Sequence, residues 1–165
     1  MNRRQFLFAV SGSVALLGGI RAGHAERGGL SIREFVETTY QKQARLQAAG
    51  TPPSQEEFSA LFSRGMRRLT RAPRPYLKDQ PIGQILNAFF GWGVLPATEI
   101  KLGKVTLDSG DEQGPATIRV EIEHHGEPHK ILVRVVSESD DWRIANISYG
   151  SGKSLVEHYR VITGR

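Results

Sequence analysis

Three histidines that lie close together in the sequence are the residues best suited to bind a metal ion: His124, His125 and His129. We expect them at the tip of a β-hairpin whose two-residue turn is Gly126–Glu127. In that register His124 lies opposite His129, close enough for the two imidazoles to share an ion such as Zn²⁺. A closed zinc site takes four ligands, and no third ligand is evident nearby, so a solvent-exposed histidine pair is the alternative. The sequence therefore predicts neither a resident metal nor another cofactor.

A second motif superficially resembles a phosphate-binding loop. Residues 150–154 read Gly-Ser-Gly-Lys-Ser, between a predicted strand and a predicted helix. The full phosphate-binding pattern requires a glycine five residues before Gly152, and this chain has Ile147 there. We therefore interpret the segment as a glycine turn with Ser151 as the helix cap. Weak anion binding by the helix N-terminus together with Lys153 is the alternative.

An aromatic cluster is a candidate for contact with a ligand or a partner. It consists of Phe89, Phe90 and Trp92, which lie beside two glycines. Such a cluster lines the mouth of an apolar cavity or presents a protein-binding surface. Bulky aromatic side chains also fill the space between a helix layer and a sheet, and this is the alternative.

A basic stripe is the second candidate surface. Its members recur at spacings of three and four, which places them on one face of a helix: Arg64, Arg67, Arg68 and Arg71. Arg74 lies just beyond. An acidic partner or anionic lipid headgroups would bind such a face, and Arg67 and Arg68 are our candidate contacts. A face that only solvent touches is the alternative.

The first 25 residues have the three parts of a cleavable export signal: a basic start, a short apolar run and a small-residue end. The signal motif consists of Arg3, Arg4, Phe6 and Leu7. It matches the RRxFL core of twin-arginine signals, with an ordinary secretory signal as the alternative. We predict that the twin-arginine translocase exports the chain folded and that signal peptidase cleaves between Ala25 and Glu26. Residues 26–165 then form one periplasmic domain.

Charge and composition narrow the function classes. The chain has 22 basic and 17 acidic side chains; without the three arginines of residues 1–25, 19 basic side chains remain and the net charge is +2. This small charge gives no support to nucleic-acid binding. The absence of cysteine excludes disulfides, thiol redox chemistry and cysteine-bound iron–sulfur clusters. It also excludes a lipid attached to cysteine, so we expect a soluble protein with no stable membrane anchor.

Two capping boxes predict where the first two helices begin. The Ser31–Glu34 pair begins one that ends near Gly50, and the Ser54–Glu57 pair begins a second that continues to Pro73. Apolar residues recur at helical spacing along both segments. A third, shorter helix is predicted over residues 82–90.

From residue 98 the apolar period changes to two, which predicts strands. We expect a strand over residues 100–107 with a bulge at Gly103, then a hairpin, then a last strand over residues 142–149. A short closing helix follows over residues 151–163. The elements predict an α+β domain: two to three N-terminal helices packed on an antiparallel sheet of about four strands, with a short C-terminal helix.

The central hairpin has a predicted register. With the turn at Gly126–Glu127, Ile122 faces Ile131 and Glu123 faces Lys130. One side of the hairpin is then entirely apolar, formed by Ile118, Val120, Ile122, Ile131, Val133 and Val135.

The order of elements and the passage DDWRIANISYGSGKSL (residues 140–155) resemble exported bacterial members of the nuclear-transport-factor-two-like, or cystatin-like, superfamily. Their final strand carries a Trp-x-Ile pattern, matched here by residues 142–144, and often leads into Gly-x-Ser-Leu, matched by residues 152–155. The resemblance covers residues 31–160. It implies a cone-shaped fold with a curved sheet and an apolar cavity, and it transfers no catalytic residue.

Some enzymes of that superfamily place an Asp–His or Tyr–Asp pair inside the cone, and the candidates here are Tyr40, Asp79, His158 and Tyr159. A productive pair must lie within hydrogen-bonding reach, and nothing in the sequence brings these residues together. Our leading hypothesis is a non-catalytic periplasmic protein that binds a small apolar ligand or a protein partner. One alternative is a cone-fold enzyme, such as an isomerase, dehydratase or hydrolase. The other is an interaction or immunity-type protein without a ligand cavity.

Overall fold

A computed structural model describes residues 30–71, 86–150 and 152–163 of the chain. The helices are α1 (Ile32–Ala48), α2 (Gln55–Ala60), α3 (Arg64–Arg71) and α4 (Leu155–Thr163). The strands are β1 (Leu86–Asn87), β2 (Gly91–Trp92), β3 (Lys101–Gly110), β4 (Ala116–His124), β5 (Glu127–Glu138) and β6 (Asp141–Tyr149). The predicted α+β class is confirmed. The export signal, Arg74, Asp79 and Ser151 lie outside the described residues.

The sheet is an open antiparallel meander in which β3, β4, β5 and β6 are neighbours in chain order. Its buried face is made by alternate residues of β4 and β5, and the predicted apolar set of the central hairpin is buried there. Helix α1 packs on β3 and β4, whereas α3 and α4 pack against β6. No helix among the described residues is long and apolar enough to cross a membrane.

Helix α1 begins as predicted, at a complete capping box. The Ser31 amide donates to the Glu34 carboxylate (2.8 Å), and the Glu34 amide donates to Ser31 Oγ (3.2 Å). These hydrogen bonds lower the pKa of Glu34 below its ordinary value. The indole of Trp142 donates to the carbonyl of Leu30 (3.0 Å), which ties the start of the helix to β6.

The second predicted helix is wrong in its length, because the chain divides it into α2 and α3. Between them, the amide of Ile144 donates to the carbonyl of Leu61 (2.8 Å), and the amide of Ser63 donates to the carbonyl of Ile144 (2.9 Å). Phe62 thereby forms a parallel bridge with β6 and its side chain is fully buried. Backbone groups used in this bridge cannot also continue a helix, so α3 starts afresh at Arg64.

The helix predicted over residues 82–90 is also wrong for the part that the structure describes, residues 86–90. There the chain forms β1 and a tight turn into β2. The side-chain oxygen of Asn87 accepts hydrogen bonds from the amides of Phe89 (3.0 Å) and Phe90 (3.1 Å). Asparagine stabilises turns in this way, in competition with helix formation.

The register predicted for the central hairpin is wrong by two residues. The turn is His125–Gly126, not Gly126–Glu127, and both turn residues have positive φ (53° and 80°), as a type I′ turn requires. Val120 therefore faces Ile131, and Lys130 faces Glu121. A shift of two residues keeps every side chain on its own face, which explains why the predicted buried set is still correct.

The other strand predictions agree with the structure. The register of β3 against β4 shifts between Leu102 and Val105, which confirms the bulge at Gly103.

The predicted cap of the closing helix differs from the structure. Helix α4 begins at Leu155 rather than at residue 151. Its cap is Ser154, whose Oγ accepts from the amide of Glu157 (3.3 Å), so the prediction of Ser151 is wrong. The loop before α4 is therefore longer than expected.

Two glycines at the β3–β4 turn allow a matched stability test. Gly110 has φ +94°, and a Cβ built on it would lie 2.5 Å from the carbonyl oxygen of Pro115, whereas a Cβ on Gly114 meets nothing closer than 3.7 Å. We expect Gly110→Ala to lower the free energy of unfolding by about 2 kcal/mol or more, because it combines left-handed strain with a backbone clash. Gly114→Ala should change it by less than about 0.5 kcal/mol. Urea denaturation measures both, and equal effects would contradict the described turn.

Candidate functional site

A polar latch holds the segment from β1 to Pro96 against α1. The side-chain amide of Asn87 donates to Gln47 Oε1 (2.8 Å), and Gln47 Nε2 donates in turn to the carbonyl of Leu95. Asn87 thus uses both the nitrogen and the oxygen of its side chain, because the oxygen accepts hydrogen bonds from the amides of Phe89 and Phe90. The latch joins both ends of the segment to one side chain of the helix.

Tyr149 of β6 supports the same segment from the side of the sheet. Its hydroxyl donates to the carbonyl of Ala88 (2.7 Å). Gly91 has φ +97° and lies so close to this ring that a Cβ there would be 3.3 Å from it. Burial raises the pKa of Tyr149, and the nearby Tyr159 adds to that shift, so Tyr149 stays a neutral hydrogen-bond donor.

The latch presents two of the predicted aromatic residues to the core. Phe89 and Phe90 are both buried and make edge contacts with Tyr40, at centroid distances of 5.8 and 5.9 Å. Phe89 also lies 6.0 Å from both Phe58 and Phe62. Such edge and tilted arrangements are the favoured geometry of aromatic pairs. Tyr40, Phe58, Phe62, Phe89 and Phe90 together form an aromatic wall.

One side of this wall is open to a cavity of about 390 Å³. It lies between the C-terminal half of α1, the loop into α2 and the segment 86–96. Its apolar walls include Leu46, Phe58, Leu86, Phe89, Phe90 and Val94. Its rim is exposed and formed by Gly50, Thr51, Pro52, Gln55 and Pro96. This volume lies in the range of small-molecule sites, which are concave, mostly apolar and carry few polar groups.

The third aromatic candidate, Trp92, lies elsewhere. It does not belong to the cavity lining; its ring contacts the imidazole of His158 at 5.0 Å, and Lys153 Nζ lies 5.4 Å above it. The Lys153 ammonium therefore makes a cation–π contact with the indole. These three residues form a separate cluster at the start of α4.

The acid–base candidates that the structure describes lie on two helices, Tyr40 on α1 and His158 and Tyr159 on α4. Tyr40 is fully buried and its hydroxyl has no hydrogen-bond partner among the described residues. Burial, with a smaller effect from Tyr149, raises its pKa well above the ordinary value. His158 and Tyr159 are on α4, with ring centroids 5.7 Å apart. Asp79 lies outside the described residues, as stated above.

The histidine cluster differs from the prediction because of the shifted register. His124 faces Glu127 rather than His129. The imidazole centroids of His124 and His129 are 6.3 Å apart. His125 is nearer to His124, at 4.2 Å. Burial lowers the pKa of His124, and the charges of His125 and His129 lower it further. Within the described ranges, no group of three potential ligands is placed to hold a metal ion.

The basic stripe lies on α3 and only one of its side chains has an acidic partner there. Arg67 reaches Glu138 (3.9 Å), whose carboxylate also accepts from the backbone amide of Arg64 (3.0 Å). The side chains of Arg64, Arg68 and Arg71 are exposed and form no ion pair with any described residue. Neither Arg67 nor Arg68 belongs to the cavity lining.

Sequence reasoning missed three polar residues of the site: Gln43, Gln47 and Asn87. Gln43 lines the cavity and only 5% of its surface is exposed. A signal was present, because a polar residue three positions after Tyr40 continues the buried stripe of α1. No comparable signal marks the latch, since Asn87 and Gln47 are 40 residues apart.

Comparison of the chain with protein-family models, curated proteins and solved structures finds no match.

Two buried tyrosines give a matched test of how the segment is held. Tyr149→Phe removes the hydrogen bond to the carbonyl of Ala88, so we expect a loss of about 1 kcal/mol in the free energy of unfolding. Tyr40→Phe removes a buried hydroxyl that bonds to nothing described, so stability should be unchanged or higher. Urea denaturation of both variants checks this difference. A larger loss for Tyr40→Phe would show that its hydroxyl has a partner.

Proposed function

We propose that the chain is an exported periplasmic binding protein that takes a small apolar ligand into the cavity between α1 and the segment 86–96. The observation that carries the proposal is the pre-formed aromatic wall, held by Asn87 and Gln47 with an exposed rim in front of it. The RRxFL motif and the absence of cysteine support export of an already folded chain. The helix-then-meander order supports membership of the cystatin-like superfamily.

The cavity chemistry favours binding over catalysis. None of the described lining residues is an Asp, Glu, His, Lys, Arg or Tyr. General acid–base catalysis needs a titratable group within hydrogen-bonding reach of the reacting atoms. The buried hydroxyl of Tyr40 has no described partner to activate it, and its raised pKa keeps it protonated at neutral pH. An enzyme with a buried acid–base pair at this cavity is therefore the less favoured alternative.

The test is binding of N-phenyl-1-naphthylamine, a neutral probe whose fluorescence rises in apolar surroundings. We expect saturable binding by the purified protein. Thr51→Trp should weaken probe binding about tenfold or more, because an indole on the rim covers the opening of the cavity. A tenfold change in affinity corresponds to about 1.4 kcal/mol of binding free energy. Thr51 is exposed, so the variant should still fold.

The matched control is Thr38→Trp, the same change at an exposed position of α1 that does not line the cavity. It should leave probe binding unchanged. Absence of saturable binding to the wild-type protein, or equal effects of the two tryptophans, would contradict the cavity as the binding site.

A second candidate function is binding of an acidic protein partner through α3. The supporting observation is that Arg64, Arg68 and Arg71 are exposed together without a described acidic partner. Guanidinium groups suit bidentate contacts with carboxylates, and a cluster of them also speeds the approach of an acidic partner.

Reversing one charge on α3 distinguishes ligand binding in the cavity from binding of an acidic partner through α3. Arg68→Glu leaves the cavity untouched, so it should preserve probe binding while it weakens capture of an acidic partner about fivefold or more at low salt. Surface plasmon resonance with a poly-glutamate ligand measures the second property. A variant that keeps full affinity for poly-glutamate would remove α3 as a partner surface.

A further inference from the structure

One polar side chain of the cavity, that of Gln43, is bonded to no group in the described part of the chain. Gln43 lies on α1, three and four residues before Leu46 and Gln47, and all three line the cavity. Residues at these spacings share one face of a helix. With 5% of its surface exposed, Gln43 lies well inside the exposed rim.

The other amide side chains of the cavity are already occupied. Gln47 and Asn87 form the latch, and Gln55 Nε2 donates to Ser59 Oγ (3.3 Å). By contrast, the carboxamide of Gln43 makes no hydrogen bond to any group in the described part of the chain. The carboxamide atoms are not among the fully buried unpaired atoms, so they remain accessible from the cavity although only 5% of the residue's surface is exposed. A ligand in the cavity can therefore pair with a polar group that is shielded from bulk solvent.

The described residues of the cavity offer a ligand no charge. Neither the walls nor the exposed rim includes a charged side chain among the described residues. An ionised carboxylate, phosphate or amine placed there would lose hydration without gaining a partner, which is unfavourable. A carboxamide both donates and accepts hydrogen bonds, and therefore suits a neutral hydroxyl, ester or amide.

We propose that Gln43 is the polar anchor of this cavity and that its ligand is a neutral amphiphile with one hydrogen-bonding group. The inference rests on the proposed function, because it names the ligand class of the same site. The apolar part of the ligand lies on the aromatic wall, and its hydroxyl or carbonyl group bonds the Gln43 amide.

The experiment is displacement of N-phenyl-1-naphthylamine by three ligands of equal chain length: decan-1-ol, decane and decanoate, the last of which is ionised near neutral pH. We expect decan-1-ol to bind the wild-type protein more tightly than the other two. Gln43→Met keeps the approximate shape of the side chain and removes its hydrogen-bonding groups. The affinity for decan-1-ol should then fall roughly threefold to tenfold, to that of decane.

The matched control is Gln55→Met, the same change at a lining glutamine whose amide is bonded to Ser59. It should keep the preference for decan-1-ol. Gln43→Met should be at least as stable to urea as the wild type, since no described hydrogen bond is lost. Gln43→Leu provides a second apolar variant.

Three results would overturn the inference while leaving the cavity as a binding site: decanoate binding as tightly as decan-1-ol, Gln43→Met weakening decane and decan-1-ol equally, or Gln43→Met leaving the preference for decan-1-ol intact. Marked destabilisation of both Gln43 variants would also overturn it, because it would show an internal partner for the amide. If the probe itself does not bind, the proposed function fails, and this inference fails with it.

Discussion

The hydrogen bonds between Asn87, Gln47 and Leu95 are the constraint on which the site depends. They hold the chain from β1 to Pro96 at a fixed distance from α1. Phe89 and Phe90 can then pack on Tyr40 on one side and still border open space on the other. Without the latch, hydrophobic contact alone would favour closure of this segment onto the helix, because apolar surface is driven out of water without regard to geometry. Polar groups therefore determine where the apolar cavity lies.

Local sequence rules predicted the parts of the fold that depend on local interactions. The capping boxes at Ser31 and Ser54, the strand periods and the bulge at Gly103 all involve residues close together in the chain. The errors arose where distant backbone groups compete. The bridge from residues 61–63 to Ile144 interrupts a sequence that is helical by its own pattern. The central hairpin illustrates a different limit. The period of two determines which face of the sheet each residue lies on, but it does not distinguish between two registers that are shifted by two residues.

The candidate site was predictable only in its aromatic half. Phe89 and Phe90 attract attention as bulky residues beside glycines, and they line the cavity. Gln43, in contrast, becomes informative only once burial is known, since glutamine is common on helix surfaces and has no chemistry that stands out in a sequence. Its proposed role then follows from its neighbours, because the other side-chain amides among the described lining residues are bonded within the protein. The basic stripe on α3 and the cavity are separate surfaces, so ligand binding and partner binding can be measured independently.

We propose that the cavity between α1 and residues 86–96 holds a small neutral ligand. Native mass spectrometry of the protein, purified gently from its own cells, is a direct test of this proposal. We expect the mass of the polypeptide plus a small neutral adduct that is lost on denaturation. The adduct should be absent from a Thr51→Trp variant prepared in the same way. A bare polypeptide mass in every preparation would show that the cavity holds no resident ligand and would leave partner binding through α3 as the function to pursue.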